Sequence, residues 1–148
     1  MRQISSVIIH SSATMPNMDI GYDEIYDWHV NGNNWRDIGY HYIIRRNGQV
    51  ERGRSIKEMG AHTKGFNAFS IGICVVGGIN KKGQADVNFT RAQWNMLDAL
   101  TNELVLLYDL KIVKGHRDYA NTKCPGFDVQ SWWRNNRLFT KGGDVNAL

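Results

Sequence analysis

The chain has no long apolar run. No stretch approaches the roughly 18 uninterrupted apolar residues of a membrane span, so membrane insertion is not expected. The N-terminus shows no secretory signal. Met1, Arg2, Gln3, Ile4, Ser5 and Ser6 lead into an apolar run only three residues long, Val7, Ile8 and Ile9. Synthesis in a reducing cytoplasm is therefore expected. Cysteine is scarce: Cys74 and Cys124 are the only two. That count allows at most one disulfide, and in a reducing compartment free thiols are expected instead. Basic residues occur without any block of five or six, which argues against a dedicated nucleic-acid surface. There is no His-Glu-x-x-His zinc helix, no internal repeat and no low-complexity tract. Asn88-Phe89-Thr90 matches a glycosylation sequon, but without secretion the match carries no weight.

What is present describes an ordinary globular chain. Its 148 residues are 42% hydrophobic and 22% charged. One domain over residues 1–148 is expected, with a mobile tail from about residue 140 to 148. A chain of this length buries roughly 70% of its unfolded surface, enough for a core without staples. The net charge of +4 favours an anionic partner. Nucleic acid, anionic lipid and anionic cell-wall polymer satisfy that charge equally well.

Two continuous β-branched runs, residues 6–10 and 70–76, read as fully buried strands. A first helix is expected over 19–30, capped by Asp19 or Asp23 and stopped by Asn31-Gly32-Asn33-Asn34. Asn47-Gly48 between two strand-like runs predicts a hairpin, in which Tyr40, Tyr42 and Ile44 alternate with His41, Ile43 and Arg45. Thr90-Arg91-Ala92-Gln93 has the form of a capping box. It opens the longest helix, about 91–108, with Trp94, Leu97, Thr101, Leu104, Val105 and Tyr108 on one stripe widened by Met96, Leu100 and Leu107. A short strand over 111–113 and a last helix capped by Asp128 follow. The alternation predicts an α/β fold: a central mixed β-sheet of about five strands flanked by about three helices.

The chemistry gathers at Lys114-Gly115-His116-Arg117-Asp118-Tyr119-Ala120-Asn121-Thr122-Lys123-Cys124-Pro125-Gly126. This stretch holds a His and a Cys on a predicted loop, and imidazole and thiolate are zinc ligands. A third ligand must come from elsewhere. His10 ends a buried strand, where α/β sheets place their sites, although a satisfied core histidine is the other reading. Three protein ligands, His10, His116 and Cys124, would leave one tetrahedral position open, the pattern of a catalytic zinc. Cys74 lies inside a buried strand and reads as a small core hydrophobe. Taken alone, Tyr40 reads as a plain core aromatic, and His62 reads either as a functional loop residue or as a solvated one.

Several segments, in order along the chain, resemble one family. They are His10-Ser11-Ser12-Ala13-Thr14; Trp35 with Asp37-Ile38-Gly39-Tyr40-His41-Tyr42; Asn47-Gly48 with Glu51-Arg52-Gly53-Arg54; Gly60-Ala61-His62; Asn67 with Ser70-Ile71-Gly72-Ile73; Val76-Gly77-Gly78; Asn88-Phe89-Thr90; Gly115-His116-Arg117-Asp118; and Cys124-Pro125-Gly126-Phe127. Together they resemble the zinc-dependent N-acetylmuramoyl-L-alanine amidases of the peptidoglycan recognition protein family, above all the small amidases that bacteriophages use as endolysins. The resemblance implies one Zn2+ on His10, His116 and Cys124, and Tyr40 facing the attacking water and the scissile carbonyl. It implies a second catalytic position two residues before the cysteine. Thr122 stands there, with Lys123 one step later as the alternative donor. It also implies a peptidoglycan groove contacted by His62, with His41, Trp35 and Asn67 as further contacts or scaffold.

The implied activity is hydrolysis of the amide between N-acetylmuramic acid and L-alanine, with host lysis as its consequence. A monomer made in the host cytoplasm and released to the wall by a holin-type partner fits that activity. Two alternatives accompany it. One is a binding module that recognises peptidoglycan without cutting it, which the presence of all three ligands and Tyr40 argues against. The other is an amidase that also binds and inhibits phage RNA polymerase, partly through an N-terminal arm. Only nine residues precede His10 here.

Overall fold

Eight elements follow one another along the computed structural model, which describes residues 1–141, with side chains through Asn136. They are β1 (Ser6–Ser11), α1 (Tyr22–Asp27), β2 (Tyr42–Ile44), β3 (Val50–Arg52), β4 (Ser70–Val75), α2 (Arg91–Tyr108), β5 (Ile112–Gly115) and α3 (Val129–Lys141). The five strands form one sheet in the order β3-β2-β4-β1-β5. β1 lies parallel to both β4 and β5, β4 lies parallel to β2, and only β2 and β3 are antiparallel. The mixed α/β architecture is the one expected.

β1 and β4 are buried at every position. Strands with parallel neighbours and covered faces need apolar residues on both sides, which is why their runs are continuous rather than alternating. Val7, Ile9, Ile71, Ile73 and Val75 join Leu97, Leu100 and Leu104 of α2 and Val129 of α3 in the larger core. Ile43 and Cys74 point to the opposite side, where Ile25 of α1, Ile38 and Val76 complete a smaller one. His10 pairs with Cys74 across β1 and β4, so it emerges on this second side.

The capping box at α2 forms as predicted. Gln93 N–H donates to Thr90 Oγ1 (3.1 Å), and Thr90 N–H donates to Gln93 Oε1 (3.0 Å). Gln93 is also buried, and its Nε2 donates to Val76 O (2.8 Å) and Ile44 O (3.2 Å). One side chain thus starts the helix and fastens it to the ends of β2 and β4. The Asn47-Gly48 hairpin forms too, with Gly48 in the left-handed region (φ 89°). Its strands are short, so Tyr40 and His41 precede β2 rather than lying within it.

Four details differ from the sequence expectations. α1 begins at Tyr22, and neither Asp19 nor Asp23 caps it. Glu24 Oε1 accepts from Gly21 N–H (2.7 Å), and Glu51 Oε1 accepts from Tyr22 N–H (2.8 Å). Carboxylates at this end also complement the positive pole of the helix. α1 then widens into a π-turn, Trp28–Gly32, a feature that often marks functional sites. Leu107, predicted to widen the packed stripe of α2, is 67% exposed. Residues 140 and 141, predicted to start the mobile tail, belong to α3; residues 142–148 of that tail lie outside the described residues.

Candidate metal centre

Parallel strands deliver their C-terminal ends to one edge, and the site is built there. His10 is the fifth residue of the six-residue β1. His116 follows β5 directly and opens the short 3-10 turn His116–Asp118. Cys124 returns on the next loop, which is closed by Arg117 N–H donating to Cys124 O (2.8 Å). One donor atom from each of His10, His116 and Cys124 lies within 4.8 Å of the others. Among the described residues this is the one such cluster of three or more His, Cys, Asp or Glu side chains. Cys74 stays outside it, as a buried free thiol in the smaller core.

The donors suit zinc in kind and in state. Cys124 Sγ lies 3.9 Å from His10 Nδ1. That is near the roughly 3.3–3.8 Å between donors that tetrahedral zinc requires at its usual bond lengths. Burial holds the pKa of His10 well below the ordinary histidine value, with His62 and His116 adding to the effect, and burial lowers His116 also. Both rings are therefore neutral near pH 7, with lone pairs free for a cation. Burial pushes the Cys124 thiol up, opposed by Ser11 N–H, which donates to its sulfur (3.2 Å). A cation between these donors would offset the cost of the buried thiolate.

Tyr40 stands beside this cluster, its ring centroid 5.2 Å from that of His10. Burial, with the Cys74 and Cys124 thiols nearby, raises its pKa well above the ordinary tyrosine value. Its hydroxyl is therefore an uncharged hydrogen-bond donor. Thr122 Oγ1 accepts from Cys124 N–H (3.2 Å). Thr122 and the exposed Lys123 line a cavity of about 220 Å³ that also touches Ser11, Ala13 and Cys124. Ala13 holds a left-handed conformation at its edge (φ 55°), and strain of this kind clusters at functional sites.

The predicted groove residues part company. Trp35 is 37% exposed and rests on His29, which in turn rests on Tyr40 (ring centroids 4.7 and 5.5 Å). His41 is buried under the site. Its Nδ1 accepts from Gly72 N–H (3.0 Å), which puts the neutral ring's proton on Nε2, directed at Glu58 O (2.8 Å) with the Arg2 guanidinium 3.1 Å from the same nitrogen. Asn67 turns inward, with Oδ1 accepting from His62 N–H (2.9 Å) and Thr63 N–H (2.8 Å). His62 Nδ1 lies 2.9 Å from His10 Nε2.

Two contributors escaped the sequence reading. His29 accepts from Gly39 N–H through Nδ1 (2.9 Å), and its ring contacts those of both Trp35 and Tyr40. Thr63 brings its hydroxyl within 3.3 Å of His10 Nε2. Thr63 sits next to the glycine-flanked His62, and that adjacency was the one signal available for it.

Comparison with known proteins identifies the family of the chain. The family model for N-acetylmuramoyl-L-alanine amidase matches residues 1–127. An endolysin of Klebsiella phage KP32 is 45% identical over 139 residues, covering 94% of this chain and 91% of its own length. An endolysin of Escherichia phage T7 is 44% identical over 135 residues, covering 91% and 89%. Among solved structures, the N-acetylmuramoyl-L-alanine amidase endolysin LysCS from Clostridium intestinale superposes with a TM-score of 0.74 at 31% identity, covering 86% of this chain and 78% of that one. By fold, by sequence and by the residues gathered at its strand ends, the chain belongs to the N-acetylmuramoyl-L-alanine amidase family and to its endolysin-like members.

Proposed function

We propose that the chain cleaves peptidoglycan at the amide between the lactyl group of N-acetylmuramic acid and L-alanine, using one zinc ion on His10, His116 and Cys124. The convergence of these three donors beside a protonated Tyr40 carries the reading. Zinc, when bound, supplies Lewis-acid polarisation and a water of lowered pKa. The chain's own groups do the rest. Tyr40 donates its hydroxyl hydrogen to the oxygen on which negative charge develops. Thr122 receives Cys124 N–H on its oxygen and so keeps its own hydroxyl hydrogen to donate to the same charge. Trp35 on its His29 shelf forms one wall of the approach, and the +4 charge favours the anionic wall. By likeness to the endolysins, the chain acts as a monomer on the cell wall after holin-type release. No helix among the described residues is long and apolar enough to cross a membrane.

The test is release of free L-alanine amino groups from purified peptidoglycan, with chelator and then with zinc restored. Chelator-sensitive release that returns with zinc is the expected result. Wall binding without release would make the chain a recognition module instead.

A further inference from the structure

We propose that His62 is a positioning residue of the metal centre: it fixes His10 as the Nε2–H tautomer and so aims the Nδ1 lone pair at the zinc position. This role rests on the zinc reading above and deepens it. His10 Nδ1 faces Cys124 Sγ at 3.9 Å, so a shared cation requires Nδ1 to be unprotonated. The proton of the neutral ring then sits on Nε2. That nitrogen meets His62 Nδ1 at 2.9 Å, with Thr63 Oγ1 at 3.3 Å. His62 Nδ1 must accept, so its own proton sits on Nε2, which faces Ser70 Oγ at 3.4 Å. Ser70 Oγ donates onward to Phe66 O (2.7 Å). Thr63 Oγ1, 3.1 Å from His62 Nδ1, fits the same arrangement by accepting from His10 Nε2–H and donating to His62 Nδ1. Reversing His62 would set two N–H groups or two lone pairs against each other at a bond.

The surroundings are shaped to hold that ring. Asn67 Oδ1 clamps the backbone N–H groups of both His62 and Thr63. Gly72 lacks the side chain that would displace it: a Cβ there would stand 2.5 Å from His62 Cδ2 and 2.6 Å from its Cγ. Gly60 is similar, with a Cβ only 2.7 Å from the same Cδ2. Ligand-orienting partners of this kind are typically worth 10–100-fold in metal affinity.

Two readouts test the role, and neither needs turnover. The first is the zinc dissociation constant from competition with a chromophoric chelator. His62→Leu should weaken zinc about 10–100-fold. His62→Asn places an oxygen acceptor near the Nδ1 position and should stay near wild type. Gly72→Ala leaves every ligand intact but pushes the His62 ring, so it should weaken zinc in the same direction as His62→Leu. The second readout is histidine tautomer assignment by two-bond proton–nitrogen correlation on the zinc-loaded wild-type protein, which needs no variant to fold. It should show His10 bound through Nδ1 and His62 protonated on Nε2. A proton on His62 Nδ1, or zinc held equally tightly by His62→Leu and the wild type, would overturn the role and leave the amidase reading standing. A wild-type chain that binds no zinc would overturn both.

Discussion

On one face of the central sheet Val7, Ile9, Ile71, Ile73 and Val75 meet the leucines of α2 in an aliphatic layer. On the other face of the same strands, His10, Ser70 and Gly72 meet His41 and His62 through directed hydrogen bonds. The first face tolerates any side chain of suitable volume. The second demands one ring in one orientation with one tautomer. Side chains that alternate in direction along β1 and β4 therefore put the larger aliphatic core on one face and, beside the smaller core, the donor-bearing hydrogen-bond network on the other, and the two should fail separately.

The largest effect should come from the chemical face. Cys124→Ser removes the thiolate that completes the donor set. We expect amidase activity to fall by about 1000-fold or more, the scale of the several kcal/mol a metal supplies to a transition state. The metal-free fold should melt within about a degree or two of wild type, since no core contact is lost. Activity assays alongside thermal melts of both proteins in chelator check this, and a large drop in melting temperature would mean that the two faces are not separable.

Leu97→Ala breaks the opposite face. Leu97 is 1% exposed in the aliphatic layer. Its truncation should cost about 3 kcal/mol of unfolding free energy through lost transfer and a residual cavity. Zinc affinity should not change. Denaturant titration and chelator competition on the same preparation read both quantities, and a weakened zinc site would connect the faces.

Acid should act on the polar face alone. Burial lowers the pKa of His41 from 6.5 to about 4, with the Arg2 and Arg54 charges adding to the effect and Glu58 O opposing it. The unfolded chain therefore takes up this proton near pH 6.5, while the folded chain resists it until about pH 4. Stability from the neutral ring is complete above pH 6.5, is lost as pH falls through that interval, and changes no further below it. At about 1.4 kcal/mol per pKa unit the loss is about 3 kcal/mol. His41→Asn removes the titration while keeping an acceptor for Gly72 N–H. Denaturation of the metal-free proteins between pH 7 and pH 4 should give a shallower slope for the variant; equal slopes would remove His41 from the account.

This division also explains what could be read from the chain alone. The buried runs of β1 and β4, the capping box of α2 and the Asn47-Gly48 hairpin are local patterns, and each stands where it was expected. The donor set was reached from residue chemistry and family resemblance together. The hydrogen bonds that orient it were not, because they join positions far apart in sequence. His10 meets His62 across 52 residues, and Gly72 meets His41 across 31. Those partnerships are set by strand register, and a glycine that leaves room for a ring looks in the sequence like any other glycine. The true cap of α1 was missed for the same reason, since Glu51 reaches it from 29 residues away.

The smallest expected effect separates two neighbours on the open side of the centre. Thr122 is half-buried and its oxygen is anchored by Cys124 N–H, so its hydroxyl is held near the cluster without further ordering. Lys123 is exposed at the rim of the same cavity. A preorganised donor at the developing charge is worth about 100-fold, so Thr122→Ala should lower kcat by about that factor. An exposed cation acts through a screened field worth less than about 1 kcal/mol. Lys123→Ala should therefore change KM by no more than about fivefold, and that change should vanish in high salt. Rates for both variants at low and high ionic strength decide the matter. A salt-independent loss of kcat in Lys123→Ala larger than that in Thr122→Ala would transfer the donor role to the lysine. The comparison of faces would then hold for the buried side of the centre only, with the open side built from a flexible side chain rather than an anchored one.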